Sequence, residues 1–276
     1  MIILAGTPIG NLQDASLRLR DTLENATVVA AEDTRKTIQL LRLLGIENRP
    51  ELISLNDHNE SNRAVELVER ARSEDIVVVS DAGMPTISDP GFRLVQLAAR
   101  EGVEVTIVPG PSAVTTALAV SGLPTNRFAF EGFVPRKESE RKKLLSWLKN
   151  EHRTTIFFES PTRLASTLQD FAEALGRERE AVVCRELTKL YEEVRRGSLK
   201  DLYDWAKEGV RGEIVLLIGP STTAEMHVED VLQSLIERVR LGERLKDVAR
   251  EISEQTGISS KQLYESALRH QKDSRI

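Results

Sequence analysis

The 276-residue sequence has a single cysteine, Cys184, which excludes an internal disulfide framework and any multi-cysteine zinc site. Its histidines, at 58, 152, 227 and 270, form no H-x-x-x-H pair, so no metal-ligating constellation is legible and no metal is expected. No apolar stretch approaches the roughly 20 residues that a membrane-spanning helix requires. The first apolar run, Ile2 to Ala5, is broken at once by Gly6 and lacks a basic leader, so it does not resemble a secretory signal; a cytoplasmic location is expected. Several nucleotide and nucleophile fingerprints are missing too. Gly6 and Gly10 stand four apart without G-x-G-x-x-G, no G-x-x-x-x-G-K-[ST] occurs, and Gly110-Pro111-Ser112 lacks the G-x-S-x-G context of a nucleophile elbow.

The composition, 40% hydrophobic and 29% charged with a net charge of −5, is that of a globular chain long enough for one large or two ordinary domains. Short β-branched runs alternate with amphipathic stretches from the first residue. Ile2–Ala5, Thr27–Ala31, Leu52–Leu55, Ile76–Ser80 and Val103–Val108 read as strands, with helical patterns between them. That alternation predicts a parallel α/β sheet with strands apolar on both faces. After Ser121-Gly122-Leu123-Pro124, a plausible hinge, a second set of strands is predicted at Phe128–Phe133, Thr154–Phe158, Ala181–Cys184 and Glu213–Ile218. Their irregular spacing favours a mixed sheet. Helices are predicted at Arg136–Asn150, Arg163–Gly176 and Leu199–Glu208, and three more at Val228–Leu241, Leu245–Thr256 and Ser260–His270. The expected organisation is therefore α/β throughout residues 1–121 and 122–222, with a helical extension over 223–276.

Ligands of open α/β sheets bind beyond the C-terminal ends of the strands. Three such ends carry loops rich in Gly and Pro: Gly6–Asn11, Ser80–Gly91 and Val108–Ala113. Glycine lets a backbone approach a ligand closely, and proline stiffens the loop around it.

These loops, with Ala31-Glu32-Asp33-Thr34-Arg35 and Glu131-Gly132-Phe133-Val134-Pro135, occur in the order found in one family. The chain resembles the ribosomal RNA small subunit methyltransferase I family, within the tetrapyrrole-methylase-like class III methyltransferases that use S-adenosylmethionine (SAM). The likeness covers roughly residues 1–220, and five long motifs in order make it specific. One departure is Met84, where the family usually has Thr; it bears on packing rather than chemistry.

The resemblance implies two α/β domains of the tetrapyrrole methylase type, with SAM bound in the cleft between them. It further implies cofactor contacts from Pro8, Ile9, Asp81, Gly83, Met84, Ile87, Ser112, Ala113 and Phe158, with the Ile214–Ile218 strand near the adenine. Phe158 also reads as an ordinary core residue, and Ser112 as a helix N-cap. The implied reaction is 2′-O-methylation of a cytidine ribose in the decoding centre of 16S rRNA within the small ribosomal subunit, by a homodimer. Such a reaction needs alignment, exclusion of water and an acceptor for the hydroxyl proton. Glu32, Asp33 and His58 are the leading candidates for that acceptor, with Asp57, Glu60 and Asp81 also in view; Asp33 reads equally as a helix cap.

RNA phosphate contacts are expected from Arg35 and Lys36 and from Arg136, Lys137, Arg141, Lys142 and Lys143. The latter lie between Pro135 and Arg153, where seven basic residues face three acidic ones. The same stretch reads as a solvated helix face. The tail, with Gly257 between two helical patterns, has a helix-turn-helix flavour, although over residues 226–276 nine basic residues balance nine acidic ones. It fits an RNA-contacting module or a plain packing bundle. Two other functions remain open: a ligand-sensing DNA-binding regulator, and a methylase of a small tetrapyrrole-like substrate.

Overall fold

A computed structural model describes residues 1–221, 228–256 and 258–273. The first half alternates strand and helix: β1 (Ile2–Ala5), α1 (Leu17–Asn25), β2 (Val28–Ala31), α2 (Thr34–Leu43), β3 (Glu51–Ser54), α3 (Glu60–Arg70), β4 (Ile76–Val79), α4 (Phe92–Arg100), β5 (Val105–Val108) and α5 (Ala113–Ser121). The five strands form one all-parallel sheet in the order β3-β2-β4-β1-β5. Residue alternation explains why β2 and β4 are apolar throughout. Val28, Ala30, Ile76 and Val78 pack with Leu67 of α3 and Leu94 of α4. Val29, Ala31, Val77 and Val79 pack instead with Leu19 and Leu23 of α1 and Leu41 of α2. A strand covered on both faces has no polar side to show.

The second half comprises β6 (Phe128–Phe133), α6 (Glu138–Leu148), β7 (Thr154–Glu159), α7 (Leu164–Leu175), β8 (Glu180–Arg185), β9 (Glu193–Ser198), α8 (Leu199–Ala206) and β10 (Ile214–Ile218). Its sheet, in the order β6-β7-β10-β8-β9, is mixed: β6 and β7 run parallel and the other pairs antiparallel. Strand β9 was not expected. Its sequence Glu-Val-Arg-Arg-Gly-Ser occupies a sheet edge, where charge discourages pairing with foreign strands and erases the apolar signal.

One face of this second sheet buries Phe157, Val183 and Leu216 against α6, α7 and α8. The other buries Ile156, Val182, Cys184 and Leu217 against Val114, Ala117 and Leu118 of α5, with Ile9. Helix α5 therefore belongs by packing to the second sheet, although the expected boundary at Ser121 grouped it with the first. Its buried face of Val114, Ala117 and Leu118 supplies the layer that covers this sheet, while Thr115, Ala119 and Val120 on its other side stay exposed. Cys184 is fully buried there, and burial pushes its thiol up to about 12.

Helices α9 (Val228–Arg240), α10 (Leu245–Thr256) and α11 (Ser260–Asp273) enclose their own small core of Leu235, Val248, Ala249, Leu263 and Ala267, among others. The expected turn glycine, Gly257, and His227 lie outside the described residues. Among the described residues no helix is long and apolar enough to cross a membrane.

Candidate functional site

The three Gly/Pro loops meet at the C-terminal edge of the first sheet. Thr7 and Gly83 exchange backbone hydrogen bonds of 2.9 and 3.1 Å, which tie the loop after β1 to the loop after β4. Gly6 and Gly110 tie the first loop to the loop after β5: a Cβ on Gly110 would lie 2.6 Å from the Gly6 carbonyl oxygen, so only glycine permits this approach. The long loop also holds Thr86 and Ser88 in the left-handed region, at φ 76° and 64°. Strain of this kind persists only where the surroundings over-determine it. Here the clamp is Glu60 of α3. Its buried carboxylate accepts the N–H of Gly91 at 2.8 Å and of Arg93 at 2.9 Å, and thereby caps α4 and closes the loop.

Between these loops and the second sheet runs a cleft of about 370 Å³. Seven of the nine residues expected to contact the cofactor line it: Ile9, Gly83, Met84, Ile87, Ser112, Ala113 and Phe158. Pro8 and Asp81 do not. Asp81 turns instead to Lys36, 2.6 Å away, and to the backbone N–H of Asp33 at 3.1 Å. Ser112 stands at the N-cap position of α5 without making a side-chain capping bond. Phe158 is half-buried and edge-on to Phe130 and Phe133, with ring centroids 4.9 and 5.6 Å apart.

The cleft also includes residues not singled out from sequence, Asp89, Phe133, Glu159, Ser160, Pro161, Gly212 and Glu213, and it includes Ile214 and Val215 of the strand expected near the adenine. Asp89 and Phe133 sat inside quoted motifs, so a signal existed. Glu159 and Ser160 close β7 with no local pattern to mark them.

A carboxyl-rich edge borders the cleft. Asp33 caps α2 through the N–H of Arg35 and also binds the Arg35 guanidinium at 2.7 Å, which holds its carboxyl down at about 2. Glu32 is half-buried. Burial pushes its carboxyl up, against the pull of a hydrogen bond from the Asp81 N–H. Asp89 is pushed further, to about 7, chiefly by burial and next by the Glu32 charge. His58 is exposed in the loop before α3, where its backbone N–H donates to Asn56 Oδ1 at 3.1 Å.

The basic residues expected to meet RNA fall in two places. Arg35 and Lys36 open α2, exposed but paired with Asp33 and Asp81. Arg136, Lys137, Lys142 and Lys143 are exposed at and before α6, just beyond Phe133 of the cleft; Lys142 pairs with Glu138 at 2.7 Å. Arg141 is committed to Asp170 at 2.7 Å and is half-buried. No group of three or more His, Cys, Asp or Glu arranged to hold a metal occurs among the described residues.

Two α/β sheets enclosing a loop-built cleft define a class, and the comparisons agree: the family model for tetrapyrrole (corrin/porphyrin) methylases matches residues 1–203. A crystal structure of diphthine synthase superposes with a TM-score of 0.60 at 18% identity, covering 79% of this chain and 90% of that one. Uroporphyrin-III C-methyltransferase from Thermus thermophilus, complexed with S-adenosylhomocysteine, gives 0.54 at 20% identity over 79% of this chain and 96% of its own. At such identities the likeness is one of fold. Closer in sequence is the ribosomal RNA small subunit methyltransferase I of Mycobacterium tuberculosis, 46% identical over 99% of this chain and 96% of that protein. The protein of the same name from Thermotoga maritima is 47% identical over 79% of this chain and 97% of its own length. The chain belongs to the ribosomal RNA small subunit methyltransferase I family of the tetrapyrrole methylases, and is a methyltransferase.

Proposed function

We propose that this chain transfers a methyl group from SAM to the 2′-hydroxyl of a cytidine ribose in the decoding centre of 16S rRNA, within the small ribosomal subunit and in the cytoplasm, as a homodimer. The observation that carries the rRNA substrate is identity of 46–47% to relatives named for that activity, extending in one case along 99% of the chain. The exposed Arg136, Lys137, Lys142 and Lys143, which follow the cleft residue Phe133 along the chain, support it, because phosphate neutralisation by such side chains positions RNA. The exposed Arg35 and Lys36 at the start of α2 are a second basic pair for the same role.

The cleft fits the cofactor. Its volume of about 370 Å³ suits a small molecule, and its wall is largely apolar, with Gly83 lining it at φ +83°. Ile9, Gly83, Met84, Ile87, Ser112, Ala113 and Phe158 would hold SAM, whose positive sulfur supplies an already activated methyl carbon. Phe158, Phe133 and Ile9 exclude water from the transfer. Asp33 is spent on Arg35 and its helix cap, so proton acceptance falls to Glu32, raised by burial, or to His58.

The test is methylation of small ribosomal subunits against salt, with wild type and an Arg136→Glu/Lys137→Glu/Lys142→Glu variant. The variant should need far more subunit and show a flatter salt dependence, because fewer counterions are released, while SAM affinity stays within about twofold. Superimposable curves would make the segment a solvated face. Methylation of a tetrapyrrole but no rRNA would replace the proposed substrate.

A further inference from the structure

Three carboxyl side chains line the cleft, and two are neutralised. Glu159 accepts the Ser160 N–H and the Thr167 hydroxyl, each at 2.7 Å, and faces Arg163 at 3.4 Å. Glu213 is exposed at the rim and pairs with Lys189 at 3.0 Å. Asp89 differs. The groups acting on it are the Ser80 hydroxyl and three further carboxyls: Glu32 at the end of β2, Asp57 after β3 and Asp81 after β4.

The nearby cations are engaged elsewhere. Lys36 lies on Asp81, Arg35 on Asp33, and Arg93 of α4 on the Ser61 hydroxyl. Glu60 of α3 is turned to backbone N–H groups, and His58 is exposed. Asp89 itself therefore has no ion-pair partner among the described residues, while Lys36 offsets part of the neighbouring carboxyl charge through Asp81 and Glu32. A half-buried carboxyl in that position either takes up a proton or is satisfied by a cation brought from outside.

We propose that Asp89 is the counter-charge of the cleft and recognises the positive sulfonium that distinguishes SAM from its neutral thioether product, S-adenosylhomocysteine. This role rests on the cleft being the SAM site, and is independent of which molecule accepts the methyl group. It gives the protein a way to tell loaded from spent cofactor. Once the sulfonium charge is gone, the carboxyl loses its partner and reclaims a proton, and the spent product is held less tightly.

A proton count follows. With its carboxyl at about 7 in the free protein, Asp89 is half-protonated at pH 7. Binding a cation beside it expels the remainder, on the order of 0.5 proton at pH 7 and about 0.9 at pH 6. SAM affinity should therefore rise about tenfold from pH 6 to pH 8, and S-adenosylhomocysteine affinity should stay nearly level.

The test is calorimetric titration of the full chain with SAM and with S-adenosylhomocysteine, in buffers of different ionisation enthalpy at pH 6, 7 and 8, for wild type, Asp89→Asn and Asp89→Glu. The ligand's own ammonium is common to all three proteins and cancels in the difference. Asp89→Asn should lose the extra proton release and at least tenfold in SAM affinity at pH 8. Its affinity for S-adenosylhomocysteine should stay within about threefold, which also shows that the variant is folded. Asp89→Glu should recover part of the preference. Equal loss of both affinities, or wild-type proton release no greater with SAM than with S-adenosylhomocysteine, would overturn the counter-charge alone. A wild-type protein that binds neither ligand would overturn the cofactor assignment and the counter-charge with it.

Discussion

Replacing Glu60 by alanine tests whether the long loop after β4 is held in place from α3. The carboxylate accepts two N–H groups, those of Gly91 and Arg93, and it is almost wholly buried. Its removal leaves both donors without a partner. A buried donor that loses its acceptor costs about 1–3 kcal/mol, and the lost negative charge at the α4 N-terminus adds about 0.5 kcal/mol. The Gly91 bond is fully buried and the Arg93 bond partly so, which places the sum near 3 kcal/mol. Glu60→Gln keeps one acceptor oxygen, gives up only the charge assistance, and should cost about 1 kcal/mol. Urea unfolding of the three proteins, followed by circular dichroism, measures this directly. SAM affinity should fall in step, because Gly83, Met84 and Ile87 share the loop whose left-handed Thr86 and Ser88 the clamp must hold. A loss below about 1 kcal/mol for the alanine variant, or equal loss for alanine and glutamine, would refute the clamp.

Two further predictions concern the cleft itself. Gly83→Val and Ser112→Trp should each abolish SAM binding by calorimetry while the far-ultraviolet spectrum stays native; at Gly83 a Cβ would lie 3.2 Å from Ile9 Cγ2 on a backbone at φ +83°. Unchanged affinity in both would move the cofactor elsewhere. Because the Asp89 carboxyl sits at about 7 in the folded chain and near 4 when unfolded, the folded state holds the extra proton. Stability attributable to this group is therefore greatest at low pH, declines as pH rises from about 4 to 7, and is level above that. Unfolding midpoints of wild type minus Asp89→Asn across this range should show that decline; a flat difference would remove the perturbation.

Much of the molecule was legible in the residues alone. The strands of the first sheet could be read because both faces of β2 and β4 are covered, which forces unbroken Val, Ile and Ala. The three loops could be read because close backbone approach, as between Gly6 and Gly110, admits only glycine and so leaves a mark in the sequence. What the tertiary structure alone decided lies where side chains answer to partners distant along the chain. The edge strand β9 has one paired side and a charged surface, so no periodic apolar signal betrays it. Helix α5 is rich in small apolar residues, which says that it has a face to bury but not which sheet covers it. Asp33 and Asp81 look alike in sequence beside Asp89; one is held near 2 by Arg35 and one is taken by Lys36, while Asp89 is raised to about 7 by burial and by the carboxyls of Glu32, Asp57 and Asp81, two of them from other segments of the chain. Local propensity fixes backbone conformation within a few residues, whereas the charge state of a carboxyl depends on solvent exclusion and neighbours that only folding brings together.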